Sequence, residues 1–99
     1  MVLPVVRRAI LDFMDAIGGE LSDDSLHLQL LQLGHRVARR DVAEQMRWLG
    51  EQGLVEVEEL GPYLVGRTLP DGVDAAAGRL AIEGLGRHKT GARAGTARL

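Results

Sequence analysis

Apolar positions near the start of the chain recur with helical spacing. Leu3, Val6, Ile10, Phe13, Met14 and Ile17 fall on one stripe at intervals of three and four, which predicts a helix over 3–17. Pro4 fits its first turn, where a missing N–H costs nothing, and Gly18-Gly19 ends it. Val2, Val5, Ala9 and Ala16 widen the apolar surface beyond what one small core needs. A second helix opens at Ser22-Asp23-Asp24, whose oxygens suit the free amides and positive dipole end of a helix start. Leu26, Leu30 and Leu33 line its inner face, Leu28 and Leu31 point elsewhere, and Gly34 stops it.

After the short turn His35 to Ala38, a third helix is expected over 38–52. At 100° per residue Val42, Met46 and Leu49 turn inward with Ala38, while Arg40, Glu44, Arg47 and Glu51 face solvent. Trp48 projects to the edge of that inner face, where its ring either covers the core against the first helix or the following strands or belongs to a subunit or partner interface. Leu54–Leu60 and Tyr63–Leu69 are β-branched and partly alternating about the turn Gly61-Pro62, which predicts a hairpin. Thr68, Pro70 and Asp71 have the chemistry of a last helix start, leading through Ala75, Ala76 and Ala77 to Leu80. From Gly84 onward glycine, alanine, threonine and basic residues show no period. The expected architecture is α+β, mostly α: a winged helix-turn-helix with a three-helix core, a β-hairpin wing and a short C-terminal helix. It occupies residues 1–83, followed by a flexible basic tail over 84–99.

Composition narrows the chemistry. The 99 residues are 45% hydrophobic and 26% charged, which suits one soluble domain. The absence of cysteine excludes disulfides, thiolate metal sites and a cysteine nucleophile. The three aromatics, Phe13, Trp48 and Tyr63, are too few for a base-stacking sheet. No apolar run reaches the length of a membrane span, and the charged residues Arg7, Arg8 and Asp12 argue against a signal peptide, so a cytoplasmic location is expected. His27 and His35 lack a third ligand at metal spacing, and the serines Ser22 and Ser25 sit in a capping region. Neither an enzyme, a metal nor a cofactor is expected.

The net charge of −2 conceals an asymmetry. Residues 1–85 carry eight arginines against fourteen acids, whereas the last fourteen carry Arg87, Lys89, Arg93 and Arg98 with no acid. Within the domain the arginines gather at the start and outer face of the third helix.

The stretch Leu33 to Val55, with Met46-Arg47-Trp48-Leu49 followed by Gly53-Leu54-Val55, resembles the recognition helix and first wing strand of winged-helix regulators of the ArsR, MarR and PadR kind. Thr68-Leu69-Pro70-Asp71-Gly72 looks like that family's exit from the wing. The chain is most similar to small winged-helix proteins of Mu-like phages and prophages, over residues 3 to 82. The resemblance implies a DNA-binding transcriptional regulator with the third helix in the major groove of double-stranded DNA. Arg36, Arg39, Arg40, Ala43, Glu44 and Arg47 are then the candidate DNA contacts, with Gly61, Pro62 and Tyr63 at the wing, and a homodimer through the first helix is expected. Three departures stand against it. Ala38 replaces the usual Ser or Thr cap, Glu56, Glu58 and Glu59 make the wing acidic, and no metal-sensing cluster is present. The alternative is a protein-interaction module on the same scaffold, docking a phage protein on a host or phage partner without binding DNA.

Overall fold

The computed structural model describes residues 2–87. Four helices and one sheet follow in the order α1 (Leu3–Ile17), β1 (Leu21–Ser22), α2 (Asp23–Gln32), α3 (Arg39–Glu51), β2 (Val55–Leu60), β3 (Tyr63–Thr68) and α4 (Pro70–Ala76). The architecture is α+β. All strands are antiparallel, in the spatial order β1-β3-β2.

The periodicity of α1 sets most of the core. Val6, Ile10 and Met14 are buried as the stripe predicts, and Leu11 joins them with no exposed surface. Ile17 and Leu33, both expected inside, are instead exposed at 52% and 64%, because each lies at the last turn of its helix, beyond the packed layer. Phe13 only half-enters the core. From α2 and α3 come Leu26, Leu30, Val42, Met46 and Leu49, and the sheet closes the layer with Leu54, Val55 and Leu64.

Local chemistry fixes the element ends. Ser22 Oγ accepts the Ser25 N–H at 3.1 Å, so the N-cap of α2 forms as its sequence requires. Ala38 has no side-chain oxygen, and at the start of α3 only the reciprocal half of a capping box forms, with the Ala38 N–H donating to Asp41 Oδ2 at 3.3 Å. At the other end Gly53 takes φ +77°, which lets Leu54 N–H reach Leu49 O at 3.0 Å and turns the chain straight into β2.

Two features were not legible from the sequence. β1 is only two residues long and exists through its pairing with Val65 and Gly66 of β3. Residues 84–87, assigned to the tail, lie along α1. Gly86 N–H donates to Pro4 O at 2.9 Å, Arg8 Nε donates to Gly86 O at 3.0 Å, and Arg7 donates to Gly84 O at 3.0 Å. The last helix is also shorter than expected, ending at Ala76, with Leu80 packed against the core from the turns that follow. Residues 88–99, the rest of the predicted tail, lie outside the described residues. Among the described residues no helix is long and apolar enough to cross a membrane.

Candidate nucleic-acid interface

β2 leaves the C-terminal end of α3 and runs back along it, so the hairpin turn returns to the helix start. Arg39, the first residue of α3, makes that junction. Its guanidinium pairs with Asp23 Oδ2 at 3.3 Å, donates to Pro62 O, and lies 4.8 Å from the centre of the Tyr63 ring. Asp23 is buried, and its second oxygen accepts the Leu64 N–H at 3.3 Å. The starts of α2 and α3 and the hairpin turn are therefore tied at one end of the molecule. In the sequence alone Asp23 is part of a helix start. Its partner lies sixteen residues away around the turn, and nothing in local spacing points to it.

The predicted contact residues divide into three groups. Arg36, in the turn before the helix, is exposed, and Arg40, Glu44 and Arg47 are exposed in agreement with the helical projection. Among the described residues Arg36 and Arg40 stand outside every ion pair, and they flank the N-terminal end of α3, where the helix dipole adds a partial positive charge. Arg39 and Arg47 are engaged within the fold. Arg47 reaches across to Glu59 of β2 at 3.3 Å, not to Glu51 one turn on.

Ala43 is a correction. Expected to face out, it is 7% exposed and belongs to the core. It lies on the flank of α3 that also carries Arg39 and Gly50, and the hairpin covers that flank, with Val55 and Val57 beside Gly50. A projection centred on the apolar residues does not anticipate this second covered side.

At the hairpin turn, Gly61, Pro62 and Tyr63 are all exposed. Further along the hairpin the surface is acidic. Glu58 is exposed, and Glu56 pairs with Arg67 across the strands. Positive charge is thus concentrated at the start of α3, and the middle of the helix is neutralised by Glu44, Glu51 and Glu59.

Behind this face, Trp48 covers the core edge against α1. Arg7 lies 4.0 Å over its ring, and Arg7 Nε donates to Gln45 Oε1 at 2.8 Å. Gln45 is buried, and that bond satisfies its amide oxygen. Among the described residues no group of three His, Asp or Glu side chains is placed to hold a metal ion.

No family model matches the chain. It is 33% identical over 85 residues to an uncharacterized protein, gp26, of Escherichia phage Mu, an alignment spanning 86% of this chain and 84% of the relative. No solved structure matches it.

Proposed function

We propose, from the premise that the chain belongs to the family of the uncharacterized gp26 protein of Escherichia phage Mu, that it is a winged-helix DNA-binding regulator of phage type. α3 is the recognition helix and the β2–β3 hairpin the wing. The observation that carries this reading is the meeting of the α3 N-terminus, the exposed Arg36 and Arg40, which make no ion pair among the described residues, and the exposed hairpin turn at one end of the molecule. Duplex DNA presents phosphates beside a groove wide enough for a helix, so such an end can meet both. Arg36 contacts phosphate before the helix begins. Arg40 reaches a base edge or the backbone, Glu44 discriminates among bases, and Arg39 positions the wing from behind.

The test is fluorescence anisotropy of the full chain with a labelled mixed-sequence duplex at low salt. Reversing Arg36 and Arg40 to Glu is expected to weaken binding at least about tenfold, since each lost phosphate contact also removes counterion release. Binding unchanged by that double reversal overturns the reading.

One observation favours a second reading. Glu59 neutralises Arg47 in the middle of the face, and the wing stays acidic where DNA would approach. A protein-interaction module, docking through the same end on a host or phage partner with acidic groups, uses Arg36 and Arg40 without needing a groove. Its signature is retained structure with no affinity for any duplex.

A further inference from the structure

Strand β2 is an edge of the sheet. In the order β1-β3-β2 it pairs with β3 alone. One bond fixes which way its main-chain groups point. Leu69 N–H donates to Leu54 O at 3.0 Å, so 54 and 69 form a hydrogen-bonded pair. Antiparallel pairs alternate between bonded and non-bonded, and the register runs unbroken from Val55↔Thr68 to Leu60↔Tyr63. Glu56, Glu58 and Leu60 therefore direct N–H and C=O toward β3, whereas Val55, Val57 and Glu59 direct theirs away from it. Among the described residues no backbone group pairs with those of Val57 and Glu59.

Beside this edge a groove of about 460 Å³ runs between β2 and the last turns of α3, lined by Arg47, Gly50, Glu51, Val55, Val57 and Leu69. Gly50 keeps it open. The residue is helical, and a methyl group there would stand 3.5 Å from a Val57 side-chain carbon and 3.7 Å from Val55 O, both ordinary contacts. The fold thus has room for alanine, which is the better helix former. A glycine that the fold does not require, beside an unpaired strand edge, suits the close approach of another backbone.

Charge narrows what that backbone can carry. Glu56 pairs with Arg67 and Glu59 with Arg47, which leaves Glu51 and Glu58 outside every ion pair among the described residues. Glutamates along an edge repel a second copy of the same strand and admit one of opposite charge.

We propose that β2 is a docking edge for an extended basic segment of a partner protein, which joins the sheet as a fourth strand. The segment bonds to the outward N–H and C=O of Val57 and Glu59. Its alternate side chains lie over Gly50 on one face and bring cations to Glu56 and Glu58 on the other. From Val55 to Glu59 the edge is about 13 Å long, so a segment of about seven residues covers it. The groove lies at the end of α3, whereas Arg36 and Arg40 stand at its start. The docking edge therefore owes nothing to the DNA-binding reading, and both ends can be occupied at once.

The experiment is fluorescence anisotropy of the full chain with a labelled seven-residue peptide alternating lysine with threonine and valine. A second peptide of the same sequence is N-methylated at its three central amides, which removes strand pairing and keeps the charge. The first peptide is expected to bind, and the second at least about tenfold more weakly. Val57→Pro removes an outward donor without breaking a bond to β3, and is expected to weaken binding by a similar factor. Gly50→Met, which fills the groove with a good helix former, is expected to keep or raise Tm and to weaken binding about tenfold. It decides the matter if circular dichroism shows that Val57→Pro does not fold. Glu58→Lys is expected to weaken binding by roughly fivefold. Absence of binding, equal binding of the two peptides, or indifference to Gly50→Met overturns the docking edge. Displacement of the lysine peptide by one of residues 88–99 overturns the choice of a partner protein, since the chain would then supply its own segment.

Discussion

Asp23, the first residue of α2, holds Arg39, the first residue of α3, at 3.3 Å, with its carboxylate buried and the guanidinium only part-covered. One ion pair thus sets two helix starts against each other. Because Arg39 also donates to Pro62 O, the same side chain decides where the hairpin turn lies relative to α3.

Removing Arg39 strands a buried carboxylate with one backbone donor. Arg39→Ala is expected to destabilise the fold by about 1–3 kcal/mol, below the full cost of breaking a buried pair because the guanidinium side is part-solvated. Urea denaturation measures it. Asp23→Asn in the Arg39→Ala background is expected to regain part of the loss, and a double cycle showing no coupling would sink the assignment of the pair.

Arg47 offers the contrast. Both it and Glu59 are largely exposed, so Arg47→Ala is expected to change stability by less than about 1 kcal/mol. Under the DNA-binding reading it lowers duplex affinity less than Arg40→Ala does, since its charge is already spent on Glu59. Equal losses in the anisotropy titration would show that the Arg47–Glu59 contact opens on binding.

The unfilled cap of α3 leaves room for a gain. Ala38→Ser supplies the missing side-chain acceptor, and since the Ala38 N–H already donates to Asp41, the full capping box then closes. A stabilisation of about 0.5–1 kcal/mol is expected, read as an upward shift in Tm. No shift, or a fall, would mean that the turn before α3 cannot present the hydroxyl to the helix.

Gly84 tests the packing of the C-terminal stretch. Its φ is +91°, and a methyl group there would stand 2.9 Å from the Trp48 ring. Gly84→Ala is expected to cost about 1–3 kcal/mol and to shift Trp48 emission to longer wavelength as Arg7 and the ring are displaced. Trp48 is the only tryptophan, so the signal is unambiguous. Unchanged emission would place residues 84–86 away from the ring.

Most of the fold could be read from the chain because its helices are periodic and their ends carry chemistry. Leu3–Ile17 and the Gly53-Leu54 turn announce themselves within one window. What escaped depends on contacts between distant residues. β1 has no pattern of its own, Ala43 is covered by a hairpin that a helical wheel does not contain, and Gly84 and Gly86 look like linker until Arg7 and Arg8 claim their carbonyls. The candidate interface was legible to a similar extent. Exposure of Arg40, Glu44 and Arg47 follows from helical spacing, but that of Arg36, in the turn before the helix, does not, nor does the engagement of Arg39 and Arg47 by Asp23 and Glu59, since neither acid is a helical neighbour.

Arg7 and Arg8 are adjacent yet diverge, one toward Trp48 and Gly84, the other toward Ala75 and Gly86. Their acceptors at Gly84 and Gly86 lie 77 and 78 positions later in the chain. During synthesis from the N-terminus, α1 is made among the first residues and waits through nearly the whole domain before its two guanidinium groups find those carbonyls. Closure of the domain is therefore a late event in time, and contacts of such long sequence separation are the kind that slow folding. A chain interrupted before residue 84 would hold its first helix by the apolar stripe and the Arg8 bond to Ala75 O, without the two bonds that Gly84 and Gly86 supply.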